Sequence, residues 1–396
     1  MRIEQPRRSE RFGAVHIHEP TQVIEIDSGL NPAAEDPGSD AAALVRPAEL
    51  SAVEQSMAVV VPTLNERRKV IEGVLSFIPH DCLIVLVSGS EREPVDRYSI
   101  ESDSVGAFCR MTGRRAVMVH QRDPGLAKAI EAAGYPDMLD DDGLVRMGKG
   151  EAMIVGILLA EAHSKQSVGF IDADNYVPGA VHEYVKAFAA GLHLAPTPYA
   201  MVRISWHSKP KVEDGRLVYN RWGRTSQVTN RFLNAVLSTY NGFGTEIITT
   251  GNAGEHAMSL ELARHLRFAG GYAVEPFELI ELFEQFGGAF PTSVPEIARS
   301  RIDVFQVETR NPHFHEDKGA DHVEGMRLDS LNALFHSRVC PEAVRQEIME
   351  FLAEHGGPSS GPPRLYRPIA EASSARFMEA LRTMPSSLES FNEPAD

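Results

Sequence analysis

Cysteine is scarce in this chain, with three in 396 residues, at positions 82, 109 and 340, and no spacing suited to a metal. That number and spacing speak against a disulfide frame or a zinc site, so reduced core thiols are expected. No run of about 18 apolar residues exists, which leaves no membrane-spanning segment to predict. The first residues, Met-Arg-Ile-Glu-Gln-Pro-Arg-Arg, also lack the apolar core of a signal peptide, and a reducing, cytoplasmic location is the expectation. Positive charge is in short supply too. Lys and Arg number 39 against 55 Asp and Glu, a net charge of −16. Such a balance argues against a nucleic-acid surface, and it would repel an anionic substrate unless the site gathers cations of its own.

What is present is a large apolar fraction, 43%, enough to bury a sizeable core. After two short alternating stretches, Ala14 to His18 and Gln22 to Ile26, and a Pro-, Ala- and Asp-rich segment from Asn31 to Pro47, the character changes at Met57. We expect a hairpin-like lead-in, then a mobile loop. Ala58-Val59-Val60-Val61 is a continuous apolar run ended by Pro62-Thr63-Leu64-Asn65-Glu66 and followed by a helix-period segment. Two similar runs, Leu83 to Val87 and Ala116 to Val119, end at Ser88 and at His120. Strands alternating with helical segments predict βαβ units and a mostly parallel central sheet flanked by helices, an α/β architecture. Its ligands gather beyond the carboxyl ends of the strands. Thr63, Asn65, Glu66 and Ser88 lie at such ends. The expected organisation is a lead-in over 1–50, a nucleotide-binding half over 51–200, an acceptor-binding half over 201–355, and a linker, helix and tail over 356–396.

The most informative stretch is 167–179, where Val168, Phe170 and Ile171 read as a buried strand that stops at Asp172-Ala173-Asp174. Residues i and i+2 of an extended segment point the same way, so the two carboxylates can face one ligand, and adjacent anions need a counter-cation. Hard oxygen ligands favour a divalent metal holding substrate phosphates: Mg²⁺, with Mn²⁺ and Co²⁺ as alternatives. A plainer reading is that Asp and Asn supply turn chemistry and cap the next helix.

Gly148-Lys149-Gly150 opens an apolar helix that runs to about His163, and exposed backbone donors, a dipole end and a lysine there suit a diphosphate. A glycine turn with a solvated lysine is the plainer alternative. Walker A spacing and a dinucleotide-binding glycine fingerprint are both missing, which demotes nucleotidyl and hydride chemistry. Between Arg203 and Arg231 fall Lys209, Lys211, Arg216, Arg221 and Arg224, with Trp206 and Trp222 among them. This is the basic cluster that phosphate chemistry in an acidic chain demands, though solvated surface arginines between strands, or an RNA-binding strip, would read similarly.

Taken together, Pro62-Thr63-Leu64-Asn65-Glu66, Gly148-Lys149-Gly150 and Asp172-Ala173-Asp174 resemble a nucleotide-sugar glycosyltransferase of the GT-A fold. Glu-Arg-Phe-Gly at 10–13, Gly-Phe-Ile-Asp-Ala-Asp-Asn-Tyr, Gly-Asn-Ala-Gly-Glu-His-Ala-Met-Ser and Glu-Thr-Arg-Asn-Pro-His make the chain similar to the mannosyl-3-phosphoglycerate synthase family up to about residue 340. The resemblance implies transfer of mannose from GDP-mannose to 3-phospho-D-glycerate with retention and a divalent metal, with glucosyl transfer or dual donor use as the alternative. It implies a homodimer with no nucleic-acid or membrane partner. Donor contacts would come from Pro62, Thr63, Asn65, Glu66, Ser88, Lys149, Asp172, Ala173 and Asp174. By similarity to glucosyl-3-phosphoglycerate synthases, Gly223, Arg224 and Ser226 would hold the acceptor phosphate, where serine stands for the family's threonine. Asn252, Gly254, Glu255 and His256 would touch the acceptor, and Glu275 would lie near the sugar. The metal would be held by Asp174 and His313, with His315 the neighbouring alternative. Asp172, Asp174, Lys149 and Glu275 are thus the expected catalytic set.

Overall fold

In a computed structural model, residues 1–26, 42–175, 177–206, 209–213, 215–220, 224–314, 320–355 and 361–392 are described. Seven strands carry the site: β1 (Met57–Thr63), β2 (Leu83–Ser88), β3 (Ala116–His120), β4 (Ser167–Phe170), β5 (Ala200–Trp206), β6 (His256–Ser259) and β7 (Ile302–Thr309). The helices that position it are α1 (Arg97–Thr112), α2 (Lys149–Ala162), α3 (Pro178–Leu194), α4 (Arg224–Asn241), α5 (Val274–Phe286) and α6 (Ala320–Phe335). The apolar runs become strands because helices cover both faces, so side chains pointing either way leave water. α2 lies across β1 and β2, and α3 packs on β5.

These strands belong to a 13-stranded sheet, in which the order β3-β2-β1-β4-β6-β5-β7 forms the centre. β1 to β4 are mutually parallel, β5 and β7 are parallel, and β6 runs against both of its neighbours. The expected GT-A type, mostly parallel sheet is thus observed, with one reversed strand near its middle. Register then decides what meets at the carboxyl edge. Thr63 lies opposite Ser88, Ser88 opposite His120, and Trp206 opposite Thr309. Because β6 is reversed, its first residue, His256, pairs with both Phe170 and Arg203. The loop before β6 therefore arrives at the same edge as the Asp172 loop.

The periphery differs from the expectation. The two early strands, Val15–His18 and Thr21–Glu25, do not form a hairpin with each other, since both lie parallel to β7. Ala42–Leu44, expected in a loop, is a strand on Arg2–Glu4, and residues 27–41 lie outside the described set. At the other terminus, Ser374–Arg382 is helical as expected, but Glu389–Phe391 adds to the sheet beside β3 rather than fraying. Each difference is a long-range strand pairing, and short segments carry no local signal for that. No helix among the described residues is long and apolar enough to cross a membrane.

Candidate active site

At the ends of β1 and β2 the predicted donor residues surround a buried carboxylate that sequence reasoning missed. Glu101 on α1 accepts from Ser88 Oγ at 2.7 Å, Ser90 Oγ at 2.6 Å and Thr63 Oγ1 at 3.4 Å. Burial pushes its carboxyl above the usual range, against the opposing pull of these hydroxyls. Thr63 and Ser88 therefore point inward and fix the floor of the site. Asn65 sits in the left-handed region, φ 59°, which asparagine tolerates. Its N–H donates to Ser90 Oγ at 2.8 Å and its Oδ1 accepts the Glu91 N–H at 3.0 Å, while Pro62 and Glu66 are half-buried beside it.

The Asp172 loop leaves β4 beside β1, where Phe170 lies opposite Val60. Lys149, the first residue of α2, extends its ammonium between Asp172 Oδ1 at 2.5 Å and Glu275 Oε1 at 2.6 Å. Burial opposes the charge, but the two carboxylates outweigh it and hold the Lys149 pKa well above the ordinary lysine value. The glycines around Lys149 serve packing. A Cβ at Gly148 would lie 2.1 Å from a Glu151 oxygen, and one at Gly150 would lie 2.1 Å from the Ala269 carbonyl oxygen. Glu151 in turn accepts from the Gly271 N–H at 3.0 Å and the Tyr366 hydroxyl at 2.7 Å, tying the start of α2 to the loop before α5.

The 250–256 loop closes the site from the β6 side. Gly254 leaves no room for a side chain, since a Cβ there would meet Asp172 Oδ2 at 2.5 Å and Lys149 Nζ at 3.2 Å. Glu255 and His256 are fully buried and bind protein groups. Glu255 accepts from Asn175 Nδ2 at 3.0 Å and Trp206 Nε1 at 2.9 Å. His256 bridges the Ala253 carbonyl and Glu278, both at 2.9 Å. Glu278 also pairs with Arg203 at 2.6 Å, and Arg203, counted in sequence among the available cations, has no exposed surface. It donates to the carbonyls of Thr250 at 3.0 Å and Glu275 at 2.9 Å, so one buried guanidinium fixes both the loop and the start of α5. Within the same loop, Asn252 donates to Ser330 Oγ on α6 at 2.9 Å.

β7 delivers His313. Its ring stacks on Trp206 with centroids 4.4 Å apart, and Nδ1 lies 3.3 Å from the Tyr184 hydroxyl and 3.9 Å from Glu255 Oε2. Burial, then Glu255, Glu183 and Asp172, keep the Tyr184 phenol protonated well above its ordinary pKa. The turn leading to His313 is held by Glu183 of α3, fully buried, which accepts from the N–H groups of Arg310 at 2.7 Å and Asn311 at 2.9 Å and from Asn311 Nδ2 at 2.7 Å. His313 and the Asp172 loop are thus linked through Glu255 and Asn175, the residue that follows Asp174. His315 lies outside the described residues.

On the acceptor side Gly223 also lies outside the described residues, and Arg224 to Ser226 form the first turn of α4 rather than a turn between strands. That places their backbone N–H groups at a helix N-terminus, where four such donors lack intrahelical partners. Arg231, further along α4, is exposed and pairs with Glu347 at 3.4 Å.

The donor set fits a divalent cation. Asp172 and Glu275 share one ammonium, Glu255 lies one hydrogen bond from Asn175, and Asp174 is buried in the same loop, an excess of negative charge that a hard cation with oxygen and imidazole ligands would offset. No three His, Cys, Asp or Glu side chains among the described residues form a metal cage, so a metal on Asp174 and His313 would take further oxygens from substrate or water.

A helix-flanked sheet of this order, with the Asp172 and 250–256 loops collected on one edge, is of the GT-A type, the fold of nucleotide-sugar glycosyltransferases. Comparison with known proteins refines the class. The model of the mannosyl-3-phosphoglycerate synthase family matches residues 5–381. The mannosyl-3-phosphoglycerate synthase of Pyrococcus furiosus is 43% identical over 396 residues, covering 99% of this chain and all of that one. The Aeropyrum pernix enzyme of the same name is 35% identical, covering 93% of this chain and 94% of its own. A solved structure of Mycobacterium tuberculosis glucosyl-3-phosphoglycerate synthase, in complex with Mn²⁺, UDP-glucose and phosphoglyceric acid, is similar with a TM-score of 0.48 at 22% identity. It covers 83% of this chain and 95% of that one. The chain belongs to the mannosyl-3-phosphoglycerate synthase family and is a hexosyltransferase.

Proposed function

We propose that this protein transfers mannose from GDP-mannose to 3-phospho-D-glycerate with retention of the α configuration, giving mannosyl-3-phosphoglycerate. The sugar and acceptor follow from the family, and the geometric observation that carries the chemistry is Lys149 clamped between Asp172 and Glu275 at the sheet edge. Breaking the anomeric C–O bond leaves positive charge on the sugar and added negative charge on GDP. Lys149, kept protonated by its two partners, faces the leaving diphosphate, and Asp172 orders the donor beside it. A divalent metal held by Asp174 and His313 would supply further electrostatic stabilisation of that diphosphate. Arg224, with the first-turn N–H groups of α4 and the Ser226 hydroxyl, grips the acceptor phosphate by charge-assisted bonds. The 252–256 loop, held from behind by Arg203 and Glu278, sets the acceptor's position relative to the sugar.

Retention follows from attack by the acceptor hydroxyl on the face the diphosphate leaves, with a departing phosphate oxygen taking the proton. Asp172 and Glu275 each commit an oxygen to Lys149, which weakens either as a covalent nucleophile. Positioning of both substrates then supplies most of the acceleration.

The decisive experiment gives purified protein 3-phosphoglycerate and, separately, GDP-mannose, GDP-glucose and UDP-glucose, recording the released nucleotide, the product mass and its anomeric NMR signal. GDP release with an α-mannosyl product of 3-phosphoglycerate is expected. Pyrophosphate release would indicate nucleotidyl transfer, and no release would leave only a binding protein.

A further inference from the structure

The end of β7 away from the candidate active site carries a second concentration of positive charge. Three adjacent strands assemble it through register: Arg11 of the strand Ser9–Phe12 pairs with His16, and His16 pairs with Asp303 near the start of β7. Arg301 precedes β7, and Arg299 follows the short helix Pro295–Ala298. Together Arg11, His16, Arg299 and Arg301 line a cleft of about 520 Å³ whose walls include Gln285 and Thr292. No carboxylate lines it. Asp303, opposite His16 in register, is fully buried and shared by His18 Nε2 at 2.8 Å and Arg301 Nε at 2.7 Å. Arg11 and Arg299 are exposed and have no carboxylate partner among the described residues. In a chain of net charge −16 such a grouping is not the average surface.

The cleft is also preformed. Ala14 donates its N–H to the Phe286 carbonyl at 2.9 Å. Gly13, at φ 60°, brings the backbones so close that a Cβ there would lie 2.4 Å from the Gly287 carbonyl carbon. Eight residues of β7 separate this cleft from the turn that bears His313. At about 3.3 Å per residue that is roughly 25 Å, too far for one small ligand to span.

We propose that this cleft is a second binding site, for a small phosphorylated anion carrying two or more negative charges. Arginine forks match phosphate oxygens, and the volume lies in the range of ordinary small-molecule sites, about 300–1,000 Å³. Consistent with a positive potential, burial, Arg301 and Arg11 lower the His16 pKa, with His18 adding to this and Asp303 opposing it. An anion in the cleft reverses that effect and raises it.

The test titrates inorganic pyrophosphate, with chelator present, into wild type, Arg11→Gln/Arg299→Gln and Arg224→Ala by calorimetry, and follows the His16 ring protons by NMR. Both cleft arginines are exposed, so the double variant keeps its fold and its transferase activity. Binding that weakens at least tenfold in the double variant but persists in Arg224→Ala, with His16 titrating at higher pH when pyrophosphate is present, is the expected result. Equal binding by wild type and double variant, weakening only in Arg224→Ala, or no binding at all, each overturns the proposal.

Discussion

Glu183→Gln tests whether the turn that carries His313 is held by one buried carboxylate. Glu183 Oε1 accepts the Arg310 N–H at 2.7 Å, and Oε2 accepts both the Asn311 N–H at 2.9 Å and Asn311 Nδ2 at 2.7 Å. Glutamine keeps the shape but turns one oxygen into an NH₂. Facing Arg310 the NH₂ loses one bond and opposes one donor; facing Asn311 it loses two bonds and opposes two donors. An unsatisfied buried N–H costs about 1–3 kcal/mol, so the variant should lose about 2–4 kcal/mol of stability, measured as a lower urea midpoint. The functional consequence is separate. Releasing the turn lets the His313 ring shift from its stack on Trp206 and from Tyr184, and removing a group that orients a metal ligand typically costs 10–100-fold in metal affinity. Mn²⁺ binding in the presence of GDP, read by calorimetry, and the Mn²⁺ concentration giving half-maximal transfer should both rise by about that factor. Activity at saturating metal should be largely recovered. A lower urea midpoint with an unchanged metal midpoint would refute the link, leaving Glu183 a purely structural residue with no part in setting metal affinity.

Asp174→Ala should abolish GDP release at any metal concentration and Asp172→Ala should cost less, while His313→Ala raises the metal midpoint and His315→Ala does not; full activity of Asp174→Ala in chelator-treated buffer, or exchanged behaviour of the two histidines, reassigns the ligands. Arg224→Ala should lower kcat/KM for 3-phosphoglycerate by roughly 10²- to 10⁴-fold with lysine no substitute and the GDP-mannose dissociation constant unmoved. A weakened donor with an unchanged acceptor KM would move the arginine to the donor site. Because the folded-state pKa of Lys149 is raised above the ordinary 10.5, its ion pairs stabilise the fold fully below that pH and fade as pH rises through the higher folded value. Lys149→Met should therefore be less stable by about 3–5 kcal/mol at pH 7, with the difference shrinking above about pH 10.5, and a pH-independent difference would contradict the triad.

Much of this site was legible because strand ends are announced locally. The apolar runs stopping at Thr63, Ser88 and Phe170, with parallel connections between them, require those ends to share an edge, and the sheet obeys. Lys149 and Glu275 were each visible, yet their meeting was not, since 126 residues separate them and the contact depends on α2 and α5 converging. The glycines beside Lys149 were noticed for a reason that does not cover what they do: they make room for Glu151 and Ala269. The residues missed altogether, Glu101, Glu151, Glu183 and Glu278, and Arg203, which was read as an available cation rather than a buried one, are charged side chains on helices and strands, a pattern that ordinarily marks a solvated face. A signal existed for Glu183, set among Ala180, Val181, Tyr184 and Val185, all buried. A carboxylate inside such a stretch must find donors, and here they come from the Arg310–Asn311 turn.

That requirement explains why the hidden charges cluster where they do. A loop bearing substrate ligands at a sheet edge has backbone N–H and C=O groups that no ladder satisfies, and burying them without partners is costly. Glu183 satisfies the N–H groups of the His313 turn, and Arg203 satisfies the carbonyls at Thr250 and Glu275. Each is a charge of the sign that unpaired backbone demands: a carboxylate for donors, a guanidinium for acceptors. Substitutions that keep size but reverse that complementarity should therefore disturb the substrate loops while leaving the sheet intact, whereas large-to-small changes in β1 or β2 should weaken the whole fold and spare the site's geometry among molecules that remain folded.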